Sequence, residues 1–464
     1  MNDQTNNPWL QRLPVYSTDA ELIERMKAPI QRVQDLSGLP AGAARNLLDM
    51  HLDSVYVPTS QGLKLTRRVL ESGFAHCYST YKTTSMFVQR LMNTTAKCNG
   101  EPETWMITGD AGIGKTATIN ALKRLLGEAP YFQATADCPS LPIIGGAFLT
   151  LKPGSVFADL LNQLAAEIGY SIQITNANSH AKRALRNEIH KRGVFFVLLD
   201  ESQVAAVGKS AGAAYVRNLM LLRDLGIPLI YACNYSMVHG MLGQHAQNQQ
   251  RLLMNPFVFR SVGLSDPDLI AMIEAYVEAC DGLLKIDMPK DIEEIHRLTD
   301  GRGRPLRLLI VTAYNMQRSA GITKVNIGRQ ELQEAYCSES YSALRREIET
   351  INKHRVEKSG LRSDLFYPLE LENDTQEAAR RAAKDALAAA AASANLRNGM
   401  PRAKDNLEVS TLVNTLDEAP RRLGVGGPQP AKQVLAAKSE KASQSPRKPA
   451  RGDISDQDVD DAWT

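Results

Sequence analysis

The sequence predicts an α/β protein, a parallel sheet with flanking helices followed by a small helical domain. Residues 100–262 alternate apolar, partly β-branched segments with helical segments, which is typical of parallel strands joined by helical crossovers. Residues 265–340 change character and read as helices only. Between them lies one complete G-x-x-x-x-G-K-[ST] spacing, at Gly109–Thr116, in the strand–loop–helix context that this motif requires.

Strands and helices follow from runs of apolar residues and from their period. The predicted strands are Thr104–Thr108, Tyr131–Ala134, Gly193–Leu199, Leu229–Cys233 and Phe257–Val262. The predicted helices between them are Ala117–Leu126, Val156–Ile168, Ala181–His190 and Ala213–Leu225. The helical domain is predicted to start with Ser265 as its cap and to continue around Asp291–Leu298, Pro305–Ala320 and Arg329–Ser338.

Composition shifts suggest five regions. We expect an N-terminal extension for partner docking at 1–95, an α/β core at 96–264, a helical lid at 265–345, a helical extension at 346–394 and a disordered tail at 395–464. The extension includes predicted helices at Asp19–Leu36 and Thr83–Cys98, and a helical collar on the core is an equally open interpretation. The tail has a basic stretch and an acidic tip with one tryptophan, either a short protein-binding motif or an unselected end.

Global properties exclude several classes of protein. The net charge is +3, so a nucleic-acid partner would have to meet a local basic patch. No apolar run reaches the length of a transmembrane helix, and the polar N-terminus lacks the apolar core of a signal peptide. The six cysteines are scattered without a C-x-x-C pair, as expected of reduced thiols in the cytosol.

The glycine motif predicts a nucleotide site that uses ATP and Mg²⁺. Its glycines allow backbone N–H groups to turn toward phosphates, and the following helix adds the positive end of its dipole. Lys115 is placed to reach the β- and γ-phosphates, and the Thr116 hydroxyl to bind Mg²⁺. The residues expected to contact the nucleotide are Gly109, Asp110, Ala111, Gly112, Ile113, Gly114, Lys115, Thr116 and Ala117.

A second apolar strand ends in two carboxylates, Asp200 and Glu201. We expect Asp200 to hold Mg²⁺ together with Thr116, and Glu201 to orient the attacking water, because phosphoryl transfer needs both roles. A solvated acidic turn is the alternative interpretation.

Polar residues after the later strands are candidates for sensing the γ-phosphate. Asn234 follows a buried strand and is placed to contact that phosphate or the water, although asparagine is also an ordinary turn residue. Arg251 and Arg260 are candidates for an arginine acting in a neighbouring subunit, or are surface or ion-paired residues. In the Gly301–Arg307 segment Arg304 is the first choice for a lid arginine and Arg307 the second, with a solvated turn as the alternative.

Two basic segments are candidates for DNA contacts. Lys152 lies in a loop before a helix, and Lys182 with Arg183 opens the helix before Asp200. Lysine and arginine at such places contact phosphates without reading sequence, although charge runs are more often solvated faces.

The order of glycine motif, Asp200–Glu201, Asn234, Arg251/Arg260 and Arg304 resembles the AAA+ ATPases of the initiator-like branch. The Leu198–Gln203 segment and the Pro256–Arg260 run are similar to the TnsC/TniB ATPases of DNA transposition. This resemblance covers about residues 80–340 and implies an ATP-hydrolysing regulator of the bacterial cytosol that forms rings or filaments on double-stranded DNA. Its implied partners are a target-selection protein of the TnsD or TniQ type and the transposase TnsB, sometimes with TnsA.

Two other functions remain open at this point. A helicase loader or replication initiator would share the same ATPase site and also bind DNA. A signalling or scaffold NTPase would switch on nucleotide and bind only proteins. No membrane partner is expected.

Overall fold

The computed structural model describes residues 8–83, 85–86, 102–133, 136, 140–151, 155–200, 209–357 and 365–369. Glu201 and Lys152 lie outside these residues, as do most of the helix predicted at Thr83–Cys98 and everything predicted beyond residue 369. The predicted boundaries of the five regions stay predictions.

Five parallel strands form the central sheet: β1 Thr104–Gly109, β4 Gly145–Thr150, β5 Val194–Asp200, β6 Leu229–Cys233 and β7 Pro256–Phe259. Their order is β4-β5-β6-β1-β7, so β1 lies between β6 and β7. In register, Thr108 lies opposite Cys233 and Gly109 opposite Phe259. The segments that follow β1, β6 and β7 therefore leave the sheet at one edge, as carboxyl ends of parallel strands do.

The second predicted strand is wrong in its placement. Tyr131–Phe132 (β2) pairs antiparallel with Leu141–Pro142 (β3) in a separate two-stranded ribbon, and the edge of the main sheet is β4 instead. Strand β4 begins with two glycines, which weaken a strand signal in the sequence. A Cβ on Gly146 would lie 2.4 Å from the ring of Phe196, so the close approach of β5 explains this glycine.

Fifteen helices are assigned in the described part of the chain. They are α1 Pro8–Gln11, α2 Asp19–Met26, α3 Ala41–Asp53, α4 Ser60–Thr80, α5 Lys115–Leu126, α6 Phe157–Glu167, α7 Ser179–Lys191, α8 Lys209–Arg223, α9 Tyr235–Leu242, α10 Ala246–Leu252, α11 Pro267–Ala279, α12 Met288–Thr299, α13 Gly303–Ser319, α14 Arg329–Cys337 and α15 Ser342–Glu357. None of them is long and apolar enough to span a membrane.

Several predicted ends move. The helix predicted at Asp19–Leu36 ends at Met26, three residues before Pro29, because the residue before a proline avoids helical geometry. The cap of α11 is Asp266 rather than Ser265, and its side chain accepts a hydrogen bond from the Asp268 N–H. Strand β7 ends at Phe259, before the predicted Val262.

The N-terminal helices cover two different parts of the molecule. Helices α1, α2 and α4 share a core with α5 and one face of the sheet, where Trp9 and Leu22 are fully buried. Helix α3 belongs instead to the core of helices α11–α15, the lid, through residues such as Leu48 and Leu52. The other face of the sheet packs against α6, α7 and α8. Residues 8–80 thus form a collar on both core and lid, and a docking role for them stays a prediction.

Candidate nucleotide-binding site

The loop between β1 and α5, residues 109–116, has the backbone conformation of an anion cradle. Gly112 has φ of 74° and Gly114 has φ of 104°, a left-handed region that other residues enter only with strain. Gly114 is also the N-cap of α5 and has no side chain to bond the first amides of that helix. Those N–H groups and the helix dipole are therefore suited to phosphate oxygens.

Lys115 lies folded against this glycine loop. Its Nζ donates hydrogen bonds to the Gly109 carbonyl at 2.7 Å and to the Asp110 carbonyl at 2.9 Å. Burial lowers the pKa of the ammonium, while the carboxylates of Asp110 and Asp200 act in the opposite direction. A buried cation whose hydrogen bonds go to loop carbonyls suits a phosphate ligand, which brings further negative charge.

Asp200 and Thr116 fit a magnesium ion. Asp200 is the last residue of β5 and only 7% exposed, whereas Thr116 is exposed in the first turn of α5. Strand β6 separates β5 from β1, so the two residues belong to neighbouring parts of one sheet edge. In the described residues no group of three or more His, Cys, Asp or Glu side chains could hold a metal by itself. A carboxylate and a hydroxyl match Mg²⁺, which keeps waters and takes further oxygens from phosphates.

Asn234 follows β6 as the N-cap of α9. Its carbonyl accepts hydrogen bonds from the N–H groups of Met237 and Val238, but its side-chain amide makes no capping hydrogen bond. Asparagine is favoured at this position because its side chain usually bonds the first turn. Capping therefore does not explain the amide, and the sensing role predicted for it stays a prediction.

The two arginines predicted to act in trans lie in different settings. Arg260 directly follows β7, whose last residue, Phe259, lies opposite Gly109. The side chain of Gln61 in α4 holds the Arg260 backbone twice, accepting from its N–H and donating to its carbonyl, each at 2.9 Å. Arg251 is exposed in the last turn of α10. Their action on another subunit stays a prediction.

Arg304 contacts the glycine loop through its backbone, and the nucleotide-sensing role predicted for its side chain stays a prediction. Its N–H donates to the Gly112 carbonyl at 3.4 Å, and its side chain is exposed. A Cβ on Gly112 would lie 2.6 Å from the Arg304 Cβ, so the lid touches the loop closely at this point. The second choice, Arg307, is instead ion-paired with Asp49 at 3.3 Å and with Asp53, both in α3.

Arg302 is a site residue that the sequence reasoning missed. Its side chain is fully buried, and Nη1 donates to the Ala111 carbonyl at 3.2 Å and to Glu347 Oε1 at 2.6 Å. The Gly-Arg-Gly-Arg run marked the segment but not which arginine faces inward. Burial of an arginine is rare enough that only the fold reveals it.

The DNA candidates are only partly explained by the structure. Lys182, in the first turn of α7, places Nζ 5.6 Å from the centroid of the Phe157 ring, a cation–π geometry. Arg183 beside it is exposed. Contact of either residue with DNA stays a prediction.

Comparison with known proteins agrees with the fold. Residues 100–254 match the family model described as "AAA domain", and no curated protein matches the chain. The parallel five-stranded sheet with its flanking helices and glycine loop is the AAA+ P-loop NTPase fold.

Three solved structures illustrate the similarity. The Orc1 protein of Aeropyrum pernix in complex with DNA has 15% identity and a TM-score of 0.37, over 73% of this chain and 82% of that one. Cdc6p from Pyrobaculum aerophilum has 13% identity and a TM-score of 0.37, over 73% and 87%. PCH-2 of C. elegans has 12% identity and a TM-score of 0.32, over 61% and 69%.

Proposed function

We propose that this protein is an ATP-dependent regulator of DNA transposition. It oligomerises on double-stranded target DNA and links a target-selection protein of the TnsD or TniQ type to the transposase TnsB, possibly with TnsA. The observation that carries the nucleotide-dependent part is the direct contact of the lid with the glycine loop, through Arg302 on Ala111 and Arg304 on Gly112. The transposition part rests on the resemblance of the Leu198–Gln203 and Pro256–Arg260 segments.

Each polar residue of the site has a task in ATP binding and hydrolysis. Backbone N–H groups of the loop bind the phosphates, and Lys115 pairs with the β- and γ-phosphates. Thr116 and Asp200 would hold Mg²⁺, which would supply positive charge against the phosphates. Asn234 contacts the γ-phosphate or the attacking water, and Glu201, outside the described residues, orients that water.

Oligomerisation makes the γ-phosphate an assembly signal. Arg251 or Arg260 of one subunit reaches the γ-phosphate of its neighbour and supplies positive charge in trans. Arg304 reads the same nucleotide from the lid. Hydrolysis removes the contacts of that phosphate and shifts the population toward released subunits.

A replication initiator or helicase loader is the alternative function, because it uses the same site chemistry and also binds DNA. A switch that binds only proteins is a third. Both alternatives share the nucleotide site, so binding and hydrolysis of ATP do not distinguish them from the proposal. The DNA-bound assembly and its protein partners distinguish them.

Electron microscopy with duplex DNA and a non-hydrolysable ATP analogue tests the proposal. Rings or filaments on the duplex are expected only with the analogue present. Bare duplex in every sample would contradict assembly on DNA. Where assemblies form, a transposition reaction with transposase and target-selection protein then separates the functions. A reaction that proceeds equally without this protein contradicts the transposition role.

Two variants serve as internal controls in the same experiment. Lys115→Ala is expected to prevent assembly, because the phosphates lose their cation. Glu201→Gln is expected to bind ATP and retain the assembly, because only the orientation of water is lost. Unchanged ATP turnover in Glu201→Gln would show that another group orients the water.

A further inference from the structure

We infer that Arg302 is a positioning residue that couples the glycine loop to the last helix of the lid, α15, and so transmits nucleotide occupancy to it. The inference rests on the proposed nucleotide binding and adds a second lid arginine to it. The Nη1 atom of Arg302 donates hydrogen bonds both to a loop carbonyl, Ala111 O, and to a helix carboxylate, Glu347 Oε1. The three groups belong to segments more than 40 residues apart in the chain, since 191 residues separate Ala111 from Arg302 and 45 separate Arg302 from Glu347.

The geometry of the peptide bond explains how a contact to a carbonyl acts on phosphate binding. In a planar trans peptide the C=O of one residue and the N–H of the next point in opposite directions. Arg302 holds the Ala111 carbonyl, so the Gly112 N–H points away from the lid. The Arg304 N–H holds the Gly112 carbonyl, so the Ile113 N–H does the same.

The lid therefore orients two consecutive N–H groups of the loop, those of Gly112 and Ile113, by binding the carbonyls on the opposite side of their peptides. An anion bound at these N–H groups polarises the same peptides and strengthens the hydrogen bonds on their carbonyls. Linkage is reciprocal, so a docked lid favours the nucleotide by the same factor by which nucleotide favours the docked lid.

The charge of Arg302 is buried at a cost in stability that a purely structural residue would avoid. Its guanidinium is fully buried, with Glu347 at 2.6 Å and Asp300 Oδ2 at 3.7 Å from its nitrogens. Nε and Nη2 are buried without a hydrogen-bond partner among the described residues. Burial of an arginine with unsatisfied donors costs stability, and an apolar side chain of similar size fills such a place at lower cost. A coupling role accounts for the charge.

Arg307 provides a matched control. Arg302 is the N-cap of α13 and Arg307 lies in its first turns. Arg307 also joins the lid to another part of the chain, but by ion pairs to Asp49 and Asp53 of α3 and not by a contact to the loop. Loss of a lid ion pair is therefore common to Arg302→Gln and Arg307→Gln, and loss of the loop contact is specific to the first.

The experiment measures the affinity for a fluorescent non-hydrolysable ATP analogue and the hydrogen exchange of α15 amides in the full chain. In the wild type, nucleotide is expected to slow exchange in α15. Arg302→Gln is expected to weaken nucleotide binding about tenfold and to abolish that protection, since coupling energies of this kind change affinity by about 5- to 150-fold. Arg307→Gln is expected to keep both.

Glu347→Gln covers the case in which Arg302→Gln does not fold. It keeps the loop contact and weakens only the link to the helix, so nucleotide affinity is expected to change little while α15 loses its nucleotide-dependent protection. The inference is overturned if Glu347→Gln, or a folded Arg302→Gln, behaves like Arg307→Gln. Failure of the proposed function looks different, because the wild type then binds the analogue no better than Lys115→Ala does.

Discussion

The lid meets the rest of the chain at two junctions that differ in chemistry. At the first, the loop junction, Arg302 and Arg304 contact backbone carbonyls of the glycine loop. At the second, the collar junction, α3 packs into the apolar core of the lid and Asp49 with Asp53 pairs with Arg307. The first consists of polar contacts to a ligand-binding segment, and the second is mainly buried apolar surface.

This difference separates stability from signalling. Apolar burial is non-directional and does not depend on what occupies the loop, so we expect the collar junction to hold the lid to the N-terminal segment with and without nucleotide. Hydrogen bonds to loop carbonyls depend on the orientation of each peptide plane, and a phosphate bound at the N–H groups of the same peptides strengthens them by polarisation. We therefore expect nucleotide to act at the loop junction while the collar junction supports it.

The largest effect is expected for Leu48→Ala in the collar junction. Leu48 is fully buried in the core that α3 shares with the lid, and its truncation leaves a cavity. The free energy of unfolding is expected to fall by about 3 kcal/mol, measured by urea denaturation. Nucleotide affinity of the folded fraction is expected to stay unchanged, and a parallel loss of affinity would mean that the two junctions are not separable.

Lys115→Ala is expected to reverse that pattern. The affinity for ATP should fall by at least about a hundredfold, measured by titration, because a charge-assisted contact to the phosphates is lost. Stability should change little, since Nζ bonds only loop carbonyls. Lys123→Ala on the same helix is the control. Lys123 pairs with Glu167 at 2.9 Å, and we expect this variant to keep the affinity for ATP.

Gly112→Ala tests the loop junction sterically. The added Cβ would lie 2.6 Å from the Cβ of Arg304, and alanine would have to adopt the positive φ of Gly112. We expect the free energy of lid docking to become less favourable by about 2 kcal/mol. Gly114→Ala has a positive φ but no atom within 4 Å of its Cβ. Hydrogen exchange in the first turn of α13 should rise in Gly112→Ala only, and an equal rise in both would point to backbone strain alone.

The smallest effect is expected for Arg307→Gln. Its partners are partly exposed, Asp49 to 39% and Asp53 to 73%, and ion pairs of this kind contribute little. Thermal denaturation should show a loss of about 0.5 kcal/mol. A loss comparable to that of Leu48→Ala would make the collar junction electrostatic rather than apolar.

Much of the site could be predicted from the sequence. These predictions depend on residues within a few places of each other: the loop at Gly109–Thr116, the strands at Thr104 and Leu229, Asp200 at the end of a strand and Asn234 directly after one. The strand at Gly145–Thr150 could not be predicted, because Gly146 fits the ring of Phe196 some 50 residues further on, while Gly145 lies against the side chain of Arg12. The contacts of the lid arginines could not be predicted either, because each is made with a segment distant in the chain.

The sequence by itself determined the kind of site, since glycine spacing and strand–loop–helix order are properties of short segments whose backbone geometry they dictate. Only the tertiary structure decided which arginine contacts the loop. Arg302, Arg304 and Arg307 lie within six residues, yet one is buried on Ala111, one lies beside Gly112 and one pairs with α3. Those assignments follow from where α13 packs, and packing is set by apolar contacts between segments hundreds of residues apart in the chain.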